Sequence, residues 1–245
     1  MILASFVAAA YFYPILPDTI ATHFNIYGNP TGYSPKDVGV VVFPVIILCV
    51  AMLLSLLPEL RTPYNENIQK FIGFYDQFVI VICLFLLAIF VQVMWLNLGN
   101  YTDFFITLPV GLGVVLFSAG ILCLHSRRNW FAGVRTPWTI SDERVWDKTN
   151  HAAGRSLQII GLLDIIIAIA AGNGLIFVVL SAILFAVLIV TYSYLEYRKL
   201  NGGKASAKDS AGHTAHRPTY RADVPNKPLR RSFRKKKIRA KRLKK

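Results

Sequence analysis

Charged residues are scarce in this chain of 245 residues. They make up 16% of it, whereas a soluble globular domain has about 25%, and hydrophobic residues make up 54%. Negative charge is scarcer than positive charge, with 13 Asp and Glu against 27 Lys and Arg. This composition excludes an ordinary soluble domain and indicates an integral membrane protein.

Cysteine is also rare, and its spacing carries no chemistry. Cys49, Cys83 and Cys123 each lie in an apolar run, and no two of them form a CxxC pair. This argues against a disulfide framework or a cysteine metal site, and we expect three small packing residues.

Motifs of the common enzyme classes are missing as well. The sequence has no HExxH, no GxSxG and no P-loop, and no convincing carboxylate pair falls within one apolar segment. We therefore expect neither enzymatic activity nor a bound cofactor or metal.

What the sequence has instead is long apolar runs. A membrane-spanning helix needs about 20 mostly apolar residues, and six segments approach that length. They are Met1 to Pro17, Val38 to Leu57, Phe78 to Leu98, Phe104 to Leu124, Leu157 to Ala171 and Leu175 to Tyr194. Ala8-Ala9-Ala10 resembles a signal-peptide cleavage site, but no positive residues precede it, which favours a first helix. The sequence thus predicts an all-α fold, a polytopic bundle of six transmembrane helices, with a turn at Gly172-Asn173-Gly174.

Lysine and arginine are concentrated in alternate loops. Lys36 alone lies between the first two helices, and Arg61 and Lys70 follow the second. Six basic residues lie between the fourth and fifth helices, and 18 lie from Arg198 onward. Alternate loops thus hold 1 against 26. Since cytoplasmic loops are enriched in Lys and Arg, this predicts a multi-pass protein of the cell membrane with both termini in the cytoplasm.

Residues 201–245 are too polar to build a core, so we expect a disordered basic tail. Anionic lipid headgroups are its nearest partner, at about 1 kcal/mol per basic residue close to the surface. Nucleic acid would be attracted by the same electrostatics. Only Tyr220 and Phe233 could stack on bases, however, so a nucleic-acid site is weakly supported.

Residues 16–32, here called the first loop, are predicted to lie outside the cell. Their Gly, Pro and Asn content is typical of ordered turns rather than of a helix. His23 and Asn25 are the polar side chains that could contact a ligand there, with Gly28 and Pro30 shaping the surface around them. The alternative is that both polar side chains only brace the loop.

Residues 127–139, here called the Arg/Trp loop, are predicted to lie inside. Their candidate partner-binding residues are Arg127, Arg128, Asn129, Trp130, Gly133, Arg135, Thr136, Pro137 and Trp138. Tryptophan beside arginine is also what a membrane interface selects, which is the alternative interpretation. Anchoring alone does not explain Gly133 and Pro137, which fix a defined backbone path.

A helix is predicted to begin at Ser141-Asp142-Glu143, with Ser141 as its cap. Its apolar side carries Val145, Trp146, Thr149, Ala152 and Ala153, and its polar side carries Asp147, Lys148, His151 and Arg155. This pattern predicts an amphipathic helix on the inner surface that turns into the fifth span.

Asp164 is the one carboxylate well inside a predicted span. Such groups are costly in lipid and usually functional. A hydrogen bond to a neighbouring helix, with Gln92 or a loop arginine as donor, is the structural alternative.

Both loops resemble those of the SdpI family. The first loop resembles the small membrane domain that commonly precedes the SdpI module, through Leu16-Pro17, His23-Phe24-Asn25, Gly28, Pro30 and Gly32. The second resembles the SdpI signature itself, through residues 129–139 with Trp146, Thr149-Asn150 and Gly154-Arg155. The resemblance implies an N-terminal membrane domain over residues 1–98, an SdpI-like membrane domain over 99–200 and the tail over 201–245.

The resemblance also implies a function. The best-described member of the family protects a toxin-producing cell from its own secreted peptide toxin and recruits a cytoplasmic repressor to the membrane. We therefore expect a membrane immunity and signalling protein with a peptide toxin outside and a cytoplasmic protein inside. The alternative is a small transporter or proton-coupled carrier using Asp164, although the chain lacks a convincing inverted repeat.

Overall fold

The computed structural model describes residues 1–25, 29–59, 65–100, 103–171 and 174–212. Residues 1–206 form one compact unit, and residues 207–245 form a second, of which only the end of a helix is described. The elements are α1 (Ile2–Phe12), β1 (Thr19–Phe24), β2 (Pro30–Pro35), α2 (Lys36–Leu56), α3 (Ile72–Asn97), α4 (Phe104–His125), α5 (Pro137–Ser141), α6 (Glu143–Ala171) and α7 (Gly174–Gly212). Short 3-10 turns at Leu57–Glu59 and Asn65–Lys70 lie between α2 and α3.

Five helices in the described ranges are long and apolar enough to cross a membrane. The shortest of these candidate spans, Ile106–His125, has 20 residues. At about 1.5 Å per residue it matches a hydrocarbon core of about 30 Å. The chain is therefore a multi-pass membrane protein built mainly of helices, as predicted.

The first predicted segment forms a shorter helix than the other five. α1 has 11 residues and spans about 16 Å, roughly half of the hydrocarbon thickness. It stops before Pro14, which lacks the N–H that would continue the helix. Phe12 and the following Leu16 are buried in a cluster with Ile20 and Phe90, so this segment packs onto the bundle.

Two boundary predictions were wrong. The predicted surface helix and the fifth span form one continuous helix, α6, of 29 residues, because no proline interrupts the sequence between them. Asp142, not Ser141, caps α6. Its Oδ1 accepts a hydrogen bond from the backbone N–H of Arg144 at 2.9 Å, whereas Ser141 donates backward to Trp138 O.

The predicted two-sided character of the start of α6 is confirmed. Val145, Trp146, Thr149 and Ala153 are buried, and Ala152 is half-buried. The four polar residues predicted on the other side, Asp147, Lys148, His151 and Arg155, are all exposed. The Arg144 side chain hydrogen-bonds to Asp142 and holds the pKa of that carboxyl at about 2, so the cap is ionised at neutral pH.

The first loop departs from a purely helical fold because it contains a β-hairpin. β1 and β2 pair antiparallel, with Ile20 opposite Ser34 and Ala21 opposite Tyr33. The register is irregular around His23, which lies opposite Gly32. The prediction of non-helical structure here is correct, but the strands were not predicted.

Close packing between α4 and α6 depends on four glycines. Gly113 and Gly120 on α4 face Gly161 and Gly154 on α6, seven residues apart on each helix and running antiparallel. A Cβ on Gly113 would lie 2.7 Å from Gly161 O, and one on Gly120 would lie 2.6 Å from Gly154 O. These contacts, here called the glycine seam, let the two backbones touch, as small residues commonly do in membrane bundles.

The two loops lie at opposite ends of the bundle. The hairpin contacts the C-terminal end of α3, and the Arg/Trp loop connects the C-terminal end of α4 to α5 and α6. This agrees with their prediction on opposite sides of the membrane, while the cytoplasmic location of both termini stays a prediction. α7 continues to Gly212, past the predicted start of the tail at residue 201. Gly172, Asn173 and residues 213–245 lie outside the described residues.

We expect Gly120→Ala to destabilise the protein, because its new Cβ would push α6 away. The expected loss is about 1–3 kcal/mol, typical of overpacking. Gly73→Ala is the matched control: no atom lies within 4 Å of its added Cβ, so helix propensity should stabilise it slightly. Thermal unfolding of both purified variants in detergent tests this, and equal melting temperatures would contradict it.

Candidate functional site

Asn97 at the end of α3 fixes the hairpin to the bundle through both groups of its side-chain amide. Asn97 Oδ1 accepts from the backbone N–H of Ala21 at 2.7 Å, and its Nδ2 donates to Ala21 O at 3.0 Å. The amide thus replaces a neighbouring strand for β1. Next to it, Ile20 is fully buried, and Gly39 leaves room for its side chain. The hairpin is therefore preformed, and Asn97 was not predicted because nothing local marks it.

A second set of contacts fixes the base of the hairpin. Lys36 Nζ lies 3.0 Å from Asp18 Oδ1 and above the ring of Tyr13. The Tyr13 hydroxyl donates to Asp37, and this hydrogen bond to a carboxylate raises the pKa of the tyrosine. The start of β1 and its third residue, Ala21, are thus both held.

The predicted residues of the first loop divide into bracing and exposed groups. Asn25 braces the turn, since its Oδ1 accepts from Asn29 N at 3.0 Å and its backbone N–H donates to Asn29 O at 2.9 Å. His23 is exposed, with Nδ1 3.0 Å from Thr22 Oγ1. Pro30 starts β2, and Gly28 lies outside the described residues. His23 is therefore the predicted side chain best placed to meet a ligand.

Asn129 holds the first half of the Arg/Trp loop. It is fully buried, and its Oδ1 accepts from Phe131 N at 2.7 Å and from Ala132 N at 2.8 Å. Its Nδ2 donates to Arg127 O and Ala132 O at 2.6 and 3.0 Å. Both donors and both acceptor positions of the amide are used, so Asn129 is a structural residue of the loop.

Gly133 and Asn150 hold the second half. Gly133 has φ of +101°, which favours glycine, and a Cβ there would collide with Asn150 Oδ1. Asn150 on α6 accepts from Val134 N at 2.7 Å and donates to Trp146 O at 3.1 Å. The loop backbone is therefore shaped against α6.

The end of the loop forms the short helix α5. Thr136 caps it by accepting from Thr139 N at 3.2 Å, and Pro137 occupies its first position, where no N–H is needed. Thr136 Oγ1 also lies 3.3 Å from Ser193 Oγ on α7. The cap therefore connects the loop to the last helix.

Only some of the aromatic and cationic side chains of the loop are exposed. Arg127 and Arg135 are exposed, and Arg135 donates to Trp130 O at 2.5 Å. Trp130 is 44% exposed beside it. Arg128 is half-buried near Glu143, and Trp138 packs on Tyr194 of α7. Of the nine predicted residues, Arg127, Trp130, Arg135 and Pro137 are exposed and can therefore meet a partner directly.

Asp164 is buried between α6 and α7. It is 2% exposed and accepts hydrogen bonds from Ser181 Oγ at 3.1 and 3.3 Å. The suggested partners were wrong: Gln92 pairs with Thr107, and the donor to Asp164 is a serine. Asp164 lies seven residues before the end of α6 and Ser181 seven after the start of α7, a matching depth that the sequence already contained.

Glu196 is a second acidic residue that the sequence reading missed. Its side chain is 7% exposed and lies 3.0 Å from both Lys148 Nζ on α6 and Lys199 Nζ on α7. With Asp164–Ser181 and Thr136–Ser193, it gives α7 three separated polar contacts with the rest of the bundle. The predicted site residues thus lie at three separate sites: the hairpin, the Arg/Trp loop and Asp164. The described ranges hold no group of side chains suited to a metal.

Comparisons with known proteins cover both loops. Residues 125–194 match the SdpI/YfhL protein family, and residues 1–48 match a domain of unknown function, DUF1648. The chain is 27% identical over 206 residues to the immunity protein SdpI of Bacillus subtilis (strain 168), which covers 83% of this chain and 96% of that protein. No solved structure matches.

We expect Asn129→Ala to open the Arg/Trp loop, because several backbone groups lose their partner. An unsatisfied buried polar group costs about 1–3 kcal/mol. Limited trypsin digestion in detergent should then cut faster after Arg127, Arg128 or Arg135 than in the parent protein. Asn100→Ala, at an exposed position at the other end of the bundle, is the control. Unchanged cleavage rates in Asn129→Ala would refute the structural role of this amide.

Proposed function

We propose that this membrane protein, in which residues 125–194 match the SdpI/YfhL family and residues 1–48 match DUF1648, protects its cell against a secreted peptide toxin. The observation that carries this is the extent of the alignment with the immunity protein: it spans 96% of that protein. A match confined to one helix hairpin would support only a shared membrane module.

The hairpin offers the surface for the toxin. It is preformed, since Asn97 and the buried Ile20 hold it in place without a ligand. A preformed surface loses little conformational entropy on binding, which favours affinity. His23 and Tyr33, the latter 64% exposed, project from it and can supply hydrogen bonds and aromatic contact to a peptide.

Deletion of the gene should make its cell sensitive to at least one peptide toxin in a panel that includes the toxins the organism secretes. Restoring the parent gene should restore growth. His23→Ala with Tyr33→Ala should restore it poorly at equal protein abundance, whereas Asn100→Ala, near the same end of the bundle, should restore it fully. Growth inhibition curves measure this, and unchanged sensitivity of the deletion strain across the panel would refute protection.

Recruitment of a cytoplasmic regulator is the finer part of the proposal. Trp130 and Arg135 lie side by side on a loop whose backbone is held by Asn129 and Asn150. Tryptophan and arginine are the side chains that most often dominate protein interfaces. Their fixed placement supports docking of a protein, whereas simple anchoring in headgroups needs no fixed backbone.

Trp130→Ala with Arg135→Gln should therefore separate the two activities. We expect toxin resistance to persist while the transcriptional response to toxin is lost, as measured by transcript profiles with and without sublethal toxin. The control is Arg155→Gln, which removes an exposed charge on α6 and should keep both toxin resistance and the transcriptional response. A full transcriptional response in the loop variant would count against a regulator at this surface.

The carrier alternative depends on Asp164. Its hydrogen bonds from Ser181 join α6 to α7, so packing already accounts for a buried carboxylate here. Asp164→Asn keeps the shape and an acceptor oxygen but cannot exchange a proton. Retained toxin resistance in this variant supports the packing role, and lost proton-coupled flux in proteoliposomes would support a carrier.

A further inference from the structure

A cationic pocket lies where α3, α4 and α6 meet at the end of the bundle that carries the Arg/Trp loop. Its volume is about 580 Å³, within the range of about 300–1,000 Å³ typical of small-molecule sites. Lys70, Arg127 and Lys148 line it, and Asp147 is the one carboxylate among the described residues of its lining. His125 and His151 lie at its wall. The pocket therefore carries a net positive charge.

The cations of this pocket can take a further acceptor. Arg127 lies 3.9 Å from Asp147, and both side chains are about half exposed, so this ion pair is weak. Lys148 donates to Glu196, and Lys70 donates to Asn67, each at 3.0 Å. An ammonium group carries three N–H donors and a guanidinium five, so each cation can also donate to a ligand. The Glu196 carboxylate also pairs with Lys199, so its interaction with Lys148 is weaker than that of an undivided ion pair.

One wall of the pocket is apolar. Phe74, Cys123 and Leu124 form it, and the Phe74 ring stacks on His125 with centroids 3.7 Å apart. Phe74 is near the first residue of α3 and His125 is the last of α4, so this wall lies where both spans leave the hydrocarbon. If the candidate spans cross the bilayer along these lengths, the cations lie at the depth of the headgroups, directly beside a surface suited to acyl chains.

We propose that this pocket binds the phosphate of an anionic phospholipid, with Arg127, Lys148 and Lys70 around the phosphate and the acyl chains along Phe74 and Leu124. Basic pockets between spans are a general mode of binding anionic headgroups. Free phosphate could bind the same cations, but it has no acyl chain to contact the apolar wall.

The test uses the full-length protein in phosphatidylcholine nanodiscs containing a small fraction of phosphatidylglycerol with a photoreactive group near its headgroup. Cross-links mapped by mass spectrometry should fall in residues 70–74, 123–127 and 147–151. This readout is specific for position, so lipid bound elsewhere by the basic C-terminal residues does not obscure it. Arg127→Gln with Lys148→Gln should reduce these cross-links at least tenfold, at about fivefold per cation removed. Arg155→Gln with Arg198→Gln removes two exposed charges outside the pocket and should leave them unchanged.

Three results would overturn the proposal. The first is that no cross-links fall in these segments. The second is that a zwitterionic lipid probe labels them as strongly as the phosphatidylglycerol probe. The third is that the pocket variant, with circular dichroism and melting temperature matching the parent, is labelled as strongly as the parent. Competition by millimolar inorganic phosphate separates the two phosphate sources. Undiminished labelling supports the lipid, and full displacement would overturn the lipid assignment in favour of the free ion.

Discussion

The glycine seam between α4 and α6 is the contact on which the rest of the bundle depends. Lipid tails are as apolar as leucine, so the bilayer supplies little hydrophobic force between helices, and close packing must supply the association. Four glycines bring the backbones together at Gly113–Gly161 and Gly120–Gly154. The Arg/Trp loop joins these two helices, so the seam fixes the distance between the loop's ends. Only then can Asn129 and Asn150 satisfy its backbone groups in one defined conformation.

α7 is held in a different way. Three polar contacts are separated along the helix, Ser181 with Asp164, Ser193 with Thr136 and Glu196 with Lys148, and Tyr194 packs on Trp138. Side-chain hydrogen bonds within membranes average only about 0.6 kcal/mol each. Each of these hydrogen bonds therefore contributes only weakly to holding α7 in place. Because Thr136 both caps α5 and meets Ser193, the position of α7 bears directly on the end of the Arg/Trp loop.

The sequence predicts the spans well because span length is set by bilayer thickness, an external constraint that acts on each segment alone. It also predicts the two faces of α6, where burial follows helical periodicity. It misses Asn97, whose partner Ala21 is 76 positions away, and the glycine seam, because glycines within apolar runs do not indicate what they face. The Asp164–Ser181 pair lies between these two cases. Both residues are equally far from the α6–α7 connection, so the sequence places them at the same depth, but it does not show that their side chains meet.

If the proposed toxin binding at the hairpin is to act on the Arg/Trp loop, it has to act through elements that contact both ends of the bundle. α3 is such an element: Asn97 at its end holds the hairpin, and Phe74 near its start stacks on His125 beside the Arg/Trp loop. Just before it, Asn67 donates to Arg128 O at 2.9 Å. A ligand on the hairpin changes the loop only if it binds two arrangements of the helices with different affinity. Because the glycine seam resists separation, we expect those arrangements to differ in the placement of other helices against the α4–α6 pair. The polar contacts of α7 and the Asn97 amide are contacts that such a change of placement would alter.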